Sequence, residues 1–208
     1  MKMSEAFKKK VNECFLTSVK ENDGFAADWL NFGAEISAVA ENGYTALIFA
    51  VTNGDLKTVE LLLEEGADVN GRNFKNDYTP LMCACKFGHT DIVKKLLESG
   101  AEVNLRSKHH STALIEAICY GDMEIVDILL QHGADVNCKR TDGYSAIMFA
   151  SRDGRKEIVN RLLEKGADIT LKARDGKTAT LIAIQNDCQE VVGILDAATK
   201  IEYVAFAQ

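Results

Sequence analysis

A motif of glycine, alanine and an acidic residue recurs along this chain at nearly constant spacing. Four copies begin at Gly66, Gly100, Gly133 and Gly166, in steps of 34, 33 and 33 residues, and another begins 33 residues earlier at Gly33. A fixed period of this length is typical of proteins built from stacked supersecondary units. Because one such unit cannot bury its own apolar face, the period predicts a stack of units that share a core.

A threonine or serine keeps the same register, at Thr45, Thr79, Thr112, Ser145 and Thr178. A hydroxyl side chain suits a helix N-cap, because it accepts a hydrogen bond from a free N–H of the first turn. The only proline, Pro80, comes next in its copy, where a helix needs no N–H donor. A short first helix can then end in a left-handed glycine nine residues after the cap, at Gly54, Gly88, Gly121 and Gly154.

Valine and leucine recur after each of these glycines at a spacing that lines one helical face. The positions are Val59, Leu62 and Leu63; Val93, Leu96 and Leu97; Val126, Leu129 and Leu130; and Val159, Leu162 and Leu163. Unrelated amphipathic helices would not hold all these landmarks in one register. The pattern therefore predicts a repeated pair of helices.

The motifs Thr-Pro-Leu, Gly-His, Leu-Leu and Gly-Ala-Asp-Val-Asn resemble the signature of the ankyrin repeat, most closely between Asp77 and Asn104. The resemblance implies an all-α repeat fold, an ankyrin-type solenoid of stacked helix-turn-helix units with β-turn or hairpin fingers. We expect a single domain over residues 1–208. It comprises a degenerate N-terminal capping repeat (1–41), four full repeats (42–174), and a C-terminal capping repeat with a tail (175–208), and its end units are expected to present a polar outer side.

The chemistry-bearing residues indicate neither catalysis nor a bound cofactor. The net charge of −7 argues against a general affinity for nucleic acid. No apolar run is long enough to cross a membrane, and the six cysteines, without a signal-peptide pattern, are expected to be reduced. Cys83 and Cys85 lie two apart on a predicted helix, which is poor geometry for one metal ion. We predict a cytoplasmic protein, monomeric alone, with no catalytic residue, metal or cofactor.

The resemblance also implies a partner-binding surface. In ankyrin-repeat proteins a protein or peptide partner is held on the concave side, formed by the finger tips and the exposed side of each first helix. Four of the five tyrosines fall there, and tyrosine and arginine are enriched at binding hot spots. The alternative is that the tyrosines only pack along neighbouring fingers. The candidate contact residues are Tyr44, Lys75, Asn76, Tyr78, Phe87, Lys108, His109, Tyr120, Arg140, Tyr144, Arg152 and Lys177.

Charge gives a second indication about the partner. The four fingers after Val69, Val103, Val136 and Ile169 contain nine Lys or Arg against three Asp, whereas the rest of the chain has 15 basic and 28 acidic residues. A basic finger row would steer an acidic or phosphorylated partner, although the fingers can also be simply solvated. The first hypothesis is a non-enzymatic protein–protein interaction module, or scaffold. The alternative is a delivered effector or regulatory inhibitor that blocks a target enzyme with the same face.

Three smaller expectations concern single positions. Asn70, Asn104 and Asn137 suit a turn, and the resemblance implies that they can also be substrates of an asparaginyl hydroxylase. The ring of His89 is expected to bond backbone between helices. The apolar tail, residues 199–208, is expected to cover the final helix pair, with a docking segment as the alternative.

Overall fold

The computed structural model describes the backbone of residues 4–120 and 123–206, and the side chains of these ranges up to residue 200. In this part of the chain twelve α-helices follow one another in pairs, and they fall into two compact units that divide between Lys108 and His109. From α3 to α11 the helices begin and end where the motif register predicts, and the all-α repeat fold is confirmed.

The first unit contains three helix pairs. Its helices are α1 Glu5–Glu21, α2 Ala26–Asn31, α3 Ala46–Asn53, α4 Leu56–Glu64, α5 Pro80–Phe87 and α6 Thr90–Glu98. The first helices form one layer, because α3 packs against both α1 and α5. The second helices form another, in which α4 packs against α6.

The second unit repeats this arrangement. Its helices are α7 Ala113–Tyr120, α8 Met123–Gln131, α9 Ala146–Arg152, α10 Lys156–Glu164, α11 Ala179–Gln185 and α12 Gln189–Phe206. Here α9 packs against α7 and α11, while α10 packs against α8 and α12.

Side-chain caps and left-handed residues set the limits of most first helices, but Ser145 begins α9 without the predicted bond, because its buried hydroxyl has no hydrogen-bond partner among the described residues. The Thr45 hydroxyl accepts a bond of 3.2 Å from the Ile48 N–H, and Thr79 has the equivalent cap. Gly54 and Gly88 end α3 and α5 at φ values of 72°. Gly121 lies outside the described residues. In the last pair Asp187 takes the left-handed conformation in place of glycine, with φ 58°.

The apolar positions of the second helices form the core of each unit. Two of the three predicted positions are fully buried in each of α4, α6, α8 and α10: Val59, Leu62, Val93 and Leu96 in the first unit, and Val126, Leu129, Val159 and Leu162 in the second. The third position is only partly buried at Leu63, Leu97 and Leu163. The fully buried side chains are enclosed because a neighbouring helix pair covers them. Within each unit, the predicted apolar spine is confirmed.

The last helix pair leaves apolar side chains uncovered. Leu181 and Ile184 of α11 are about half exposed, whereas Met148 and Ser151, at the same positions of α9, are fully buried. This differs from the polar outer side expected of a capping repeat, because α11 keeps the residue types of a helix that has a following neighbour. The backbone of α12 continues to Phe206, but the side chains that would test the tail prediction lie outside the described residues.

Candidate functional site

Each finger is a tight turn that leads into a first helix. In the finger before α9, the Arg140 N–H donates to the Tyr144 carbonyl at 2.9 Å, and the carboxylate of Asp142 accepts from the Tyr144 N–H at 3.0 Å. An antiparallel bridge pairs Lys139 with Ser145. The resemblance-based prediction of hairpin fingers is therefore confirmed here.

Neighbouring fingers within a unit are hydrogen-bonded to one another. The Lys108 N–H donates to the Asn76 carbonyl at 2.9 Å in the first unit, and the Thr141 N–H donates to the His109 carbonyl at 3.0 Å in the second. These bonds fix the backbone of three candidate contact residues, Asn76, Lys108 and His109, and of Thr141, which is next to the candidate Arg140. A pre-ordered surface loses less conformational entropy when it binds.

Asparagines at the start of the fingers also link successive repeats. The Asn70 side-chain oxygen accepts from the Glu102 N–H at 3.0 Å, and that of Asn137 accepts from the Asp168 N–H at 2.8 Å. Asn104 occupies the equivalent position and is exposed. These bonds support the structural interpretation of the asparagines. Their hydroxylation stays a prediction.

Two of the candidate tyrosines pack onto their own first helix. The Tyr44 ring lies 5.2 Å from the Phe49 ring, and the Tyr144 ring lies 5.4 Å from the Phe149 ring. Both tyrosines are half-buried, and burial raises the pKa of Tyr44. They stiffen the base of each finger and offer only part of their surface to a partner.

Two other aromatic residues are exposed to solvent at the ends of first helices. Tyr120, at the end of α7, is 62% exposed, and Phe87, at the end of α5, is half exposed. The Lys86 ammonium lies 5.8 Å from the Tyr78 ring and 6.0 Å from the Phe87 ring, a geometry in which a cation is attracted to aromatic faces. Tyr78, Lys86 and Phe87 therefore form one contiguous patch in the first unit.

In the second unit two arginines gather around one ring. The guanidinium carbons of Arg140 and Arg152 lie 5.4 Å and 5.1 Å from the Phe149 ring centre. Arg152 donates to the Asp153 carboxylate at 2.7 Å, and this bond raises the pKa of Arg152. Arg140 lies 3.6 Å from the Asp142 carboxylate. Both candidate arginines are thus held in place and partly neutralised.

Ion pairs also reduce the basic excess of the last finger. Lys177 lies 2.9 Å from the Asp175 carboxylate; the hydrogen bond between them raises the pKa of Lys177 and lowers that of Asp175. Five finger residues are exposed and make no ion pair with any described residue; Arg72 donates to the Arg106 carbonyl at 2.8 Å, and the other four are Lys75, Lys108, Lys172 and Arg174. The positive charge open to a partner is concentrated on these five side chains.

Phe74 is the site residue that the sequence analysis missed. It is 72% exposed in the finger before α5. Its backbone approaches Gly43 so closely that a Cβ there would come within 2.4 Å of the Phe74 nitrogen. The composition of the fingers could have indicated this residue, since Phe74 is the only phenylalanine in the four fingers.

His89 does not make the predicted side-chain bond. Its Nε2 is buried and has no hydrogen-bond partner among residues 4–120 and 123–200. The imidazole instead stacks on Phe87, with ring centres 6.2 Å apart and planes 24° apart. The ring also lies directly over Gly54, where an added Cβ would come within 2.8 Å of it. These contacts set its orientation.

The described residues hold few groups with reactive chemistry. No set of three or more His, Cys, Asp or Glu among them could hold a metal ion. None of their helices combines the length and apolar character needed to cross a membrane. All six cysteines are free thiols, and burial raises the pKa of Cys119 to about 11.

Stacked helix pairs whose fingers are hydrogen-bonded to one another define a class of repeat protein. In each unit, exposed aromatic or basic side chains lie on the fingers and at the ends of the first helices. A family model described as ankyrin repeats, in three copies, matches residues 15–107 and 114–203. The chain belongs to the ankyrin repeat family. This family is typically non-enzymatic, and its members generally serve as protein–protein interaction modules. A search of curated proteins found no match.

Proposed function

We propose that this chain is a non-enzymatic module that holds a protein or peptide partner on its finger face. The finger face comprises, in each unit, the finger turns and the exposed ends of the first helices. The observation that carries the proposal is the exposure of Phe87 and Tyr120 at the ends of α5 and α7. Solvent-exposed aromatic rings are the type of side chain that dominates protein interfaces.

The patch of Tyr78, Lys86 and Phe87 is suited to recognition because its side chains and backbone already have contacts that hold them, and so they lose little conformational entropy on binding. Lys86 is already positioned between two rings, and the finger backbone beside it is fixed by the bond from Lys108 to Asn76. Aromatic side chains add large contact area while freezing few torsions. The strongly exposed Phe74 extends the aromatic character of this unit onto its finger.

Charge supports an acidic partner. Lys75, Lys108, Lys172 and Arg174 are exposed on the fingers, while the chain as a whole carries a net charge of −7. A local positive field on an acidic body speeds the encounter with an acidic partner, and salt screens it. Capture by the finger face should therefore weaken as salt rises from about 0.05 M to about 0.5 M.

The test is capture of a partner from cell lysate by the immobilised chain, with identification by mass spectrometry. Phe87→Ala combined with Tyr120→Ala should reduce the captured partner at least about tenfold, because it removes the exposed ring at a first-helix end in each unit. Both rings are solvent-exposed, so the helical circular dichroism and melting temperature should hardly change. Tyr144→Ala is less suitable, because Tyr144 packs on Phe149 and its loss lowers stability.

The control is the double variant Glu98→Ala with Gln131→Ala, which truncates two exposed side chains at the ends of second helices, outside both the finger face and the α1–α2 region. It should leave capture unchanged. Capture that survives the change of Phe87 and Tyr120 would place the contact elsewhere. If the captured partner is an enzyme, a fall in its activity on binding would favour the inhibitor alternative, and unchanged activity would favour a scaffold.

A further inference from the structure

A second aromatic cluster lies on α1 and α2, away from the finger face. Phe7, Phe25 and Phe32 are each about half exposed. The Phe32 ring lies 6.1 Å from both the Phe7 and Trp29 rings, and it meets Trp29 edge to face at 90°. Contiguous apolar surface of this kind is uncommon on a soluble protein and marks interaction sites.

The cluster encloses a groove between two helical stripes, here called the aromatic groove. Phe7, Lys10, Val11 and Cys14 line it from α1, and Phe25, Asp28, Trp29 and Phe32 line it from α2 and its two caps. Each set has the spacing i, i+3, i+4, i+7, which places it on one side of a helix. The groove has a volume of about 560 Å³ and its walls are almost entirely apolar.

The charges at the rim of the groove are mainly negative. Asp23 and Asp28 lie there, and Asp28 makes no ion pair among the described residues. Lys10, the rim's one cation, lies 3.4 Å from the Glu13 carboxylate. Asp23 accepts bonds from the Ser18 hydroxyl and the Phe25 N–H, and the Ser18 bond is the main reason that the pKa of Asp23 is lowered.

We propose that the aromatic groove binds an amphipathic helix of a partner protein, with apolar side chains in the groove and a Lys or Arg beside Asp28. Each stripe runs from i to i+7, so it covers about 10 Å, the length of two turns of a bound helix. A helix laid in a groove anchors itself through residues at this same spacing. The rim carboxylates select the basic flank.

A second copy of this chain fits the groove less well. If two copies met through the same face, an isologous interface would set the groove of one copy against the groove of the other. Asp23 and Asp28 of both copies would then approach each other, and like charges at an interface oppose association. A partner with the opposite charge avoids this repulsion.

The test uses two designed peptides of about 14 residues, long enough for about four helical turns. Both carry leucines at i, i+3, i+4 and i+7; one has lysines on its flanks and the other glutamates. Trp29 is the only tryptophan in the chain, so its emission reports occupancy of the groove. We expect a saturable blue shift with the lysine peptide and at least about tenfold weaker binding of the glutamate peptide.

Variants distinguish the groove from the finger face. Binding of a labelled lysine peptide, followed by fluorescence anisotropy, should weaken at least about fivefold with Phe32→Ala and stay unchanged with Phe87→Ala. Asp28→Lys should reverse the preference between the two peptides. All three positions are exposed, and circular dichroism verifies that each variant folds.

Several results would overturn the proposal. These are an unchanged Trp29 emission with both peptides, equal affinity for both, or unaltered binding by Phe32→Ala. A blue shift that appears on raising the protein concentration alone, together with a dimer in sedimentation, would assign the groove to a second copy instead.

Discussion

The turns of this chain depend on single residues in the left-handed conformation, and these residues are not always the glycines of the repeat motif. Asp77, His110 and Asp187 adopt left-handed φ values of 55°, 57° and 58°. Asp and His tolerate this region better than most residues because their short polar side chains bond locally. Gly43 and Gly143 take the same conformation with φ 80° and 84°. The repeat register predicts that a turn occurs, whereas the residue that makes it varies.

The environment of Cys119 leads to a prediction about its reactivity. Burial, then the nearby Glu116, raises the pKa of this thiol to about 11. The thiolate is the reactive form, and at pH 8 it makes up only about a thousandth of such a thiol. Alkylation of Cys119 at pH 8, followed by mass spectrometry, should be at least about tenfold slower in the folded chain than in urea. Equal rates in the two states would contradict this environment.

The helix pair is the element that the sequence predicts best. Helix α5 begins after the capping Thr79, with Pro80 as its first residue, and it ends before the left-handed Gly88. Its limits therefore follow from the local chemistry of the repeat motif. The contacts made by side chains on the surface of a helix are harder to predict. The packing of Tyr144 on Phe149 depends on rotamers that no repeat register contains, and for the same reason the exposure of Phe74 was missed.

Equivalent positions on different first helices give a matched stability test. Ile115 on α7 is almost fully buried, whereas Leu181, at the same position of α11, is about half exposed. Ile115→Ala should lower the free energy of unfolding by about 2–5 kcal/mol, because it leaves a cavity. Leu181→Ala should cost less than about 1 kcal/mol. Urea unfolding followed by circular dichroism compares them, and equal losses would show that α11 is covered in solution.

At the scale of the whole molecule, the two proposed interaction surfaces differ in their chemistry. The finger face combines exposed rings with the basic side chains of Lys75, Lys108, Lys172 and Arg174. The aromatic groove is apolar with the acidic rim of Asp28. The proposed preferences are opposite in charge, so the two surfaces are expected to select different partners. That residues 1–208 form a single domain stays a prediction.

Site-specific photo-crosslinking tests whether a partner contacts the finger face, because it maps the contact before the partner is identified. A photoreactive amino acid would replace Phe87 or Tyr120 on the finger face, or, as controls, the exposed Glu98 and Gln131 at the ends of second helices. We expect the captured partner to be crosslinked from Phe87 and Tyr120 and not from the controls. Crosslinks from Glu98 and Gln131 alone would contradict binding through the finger face.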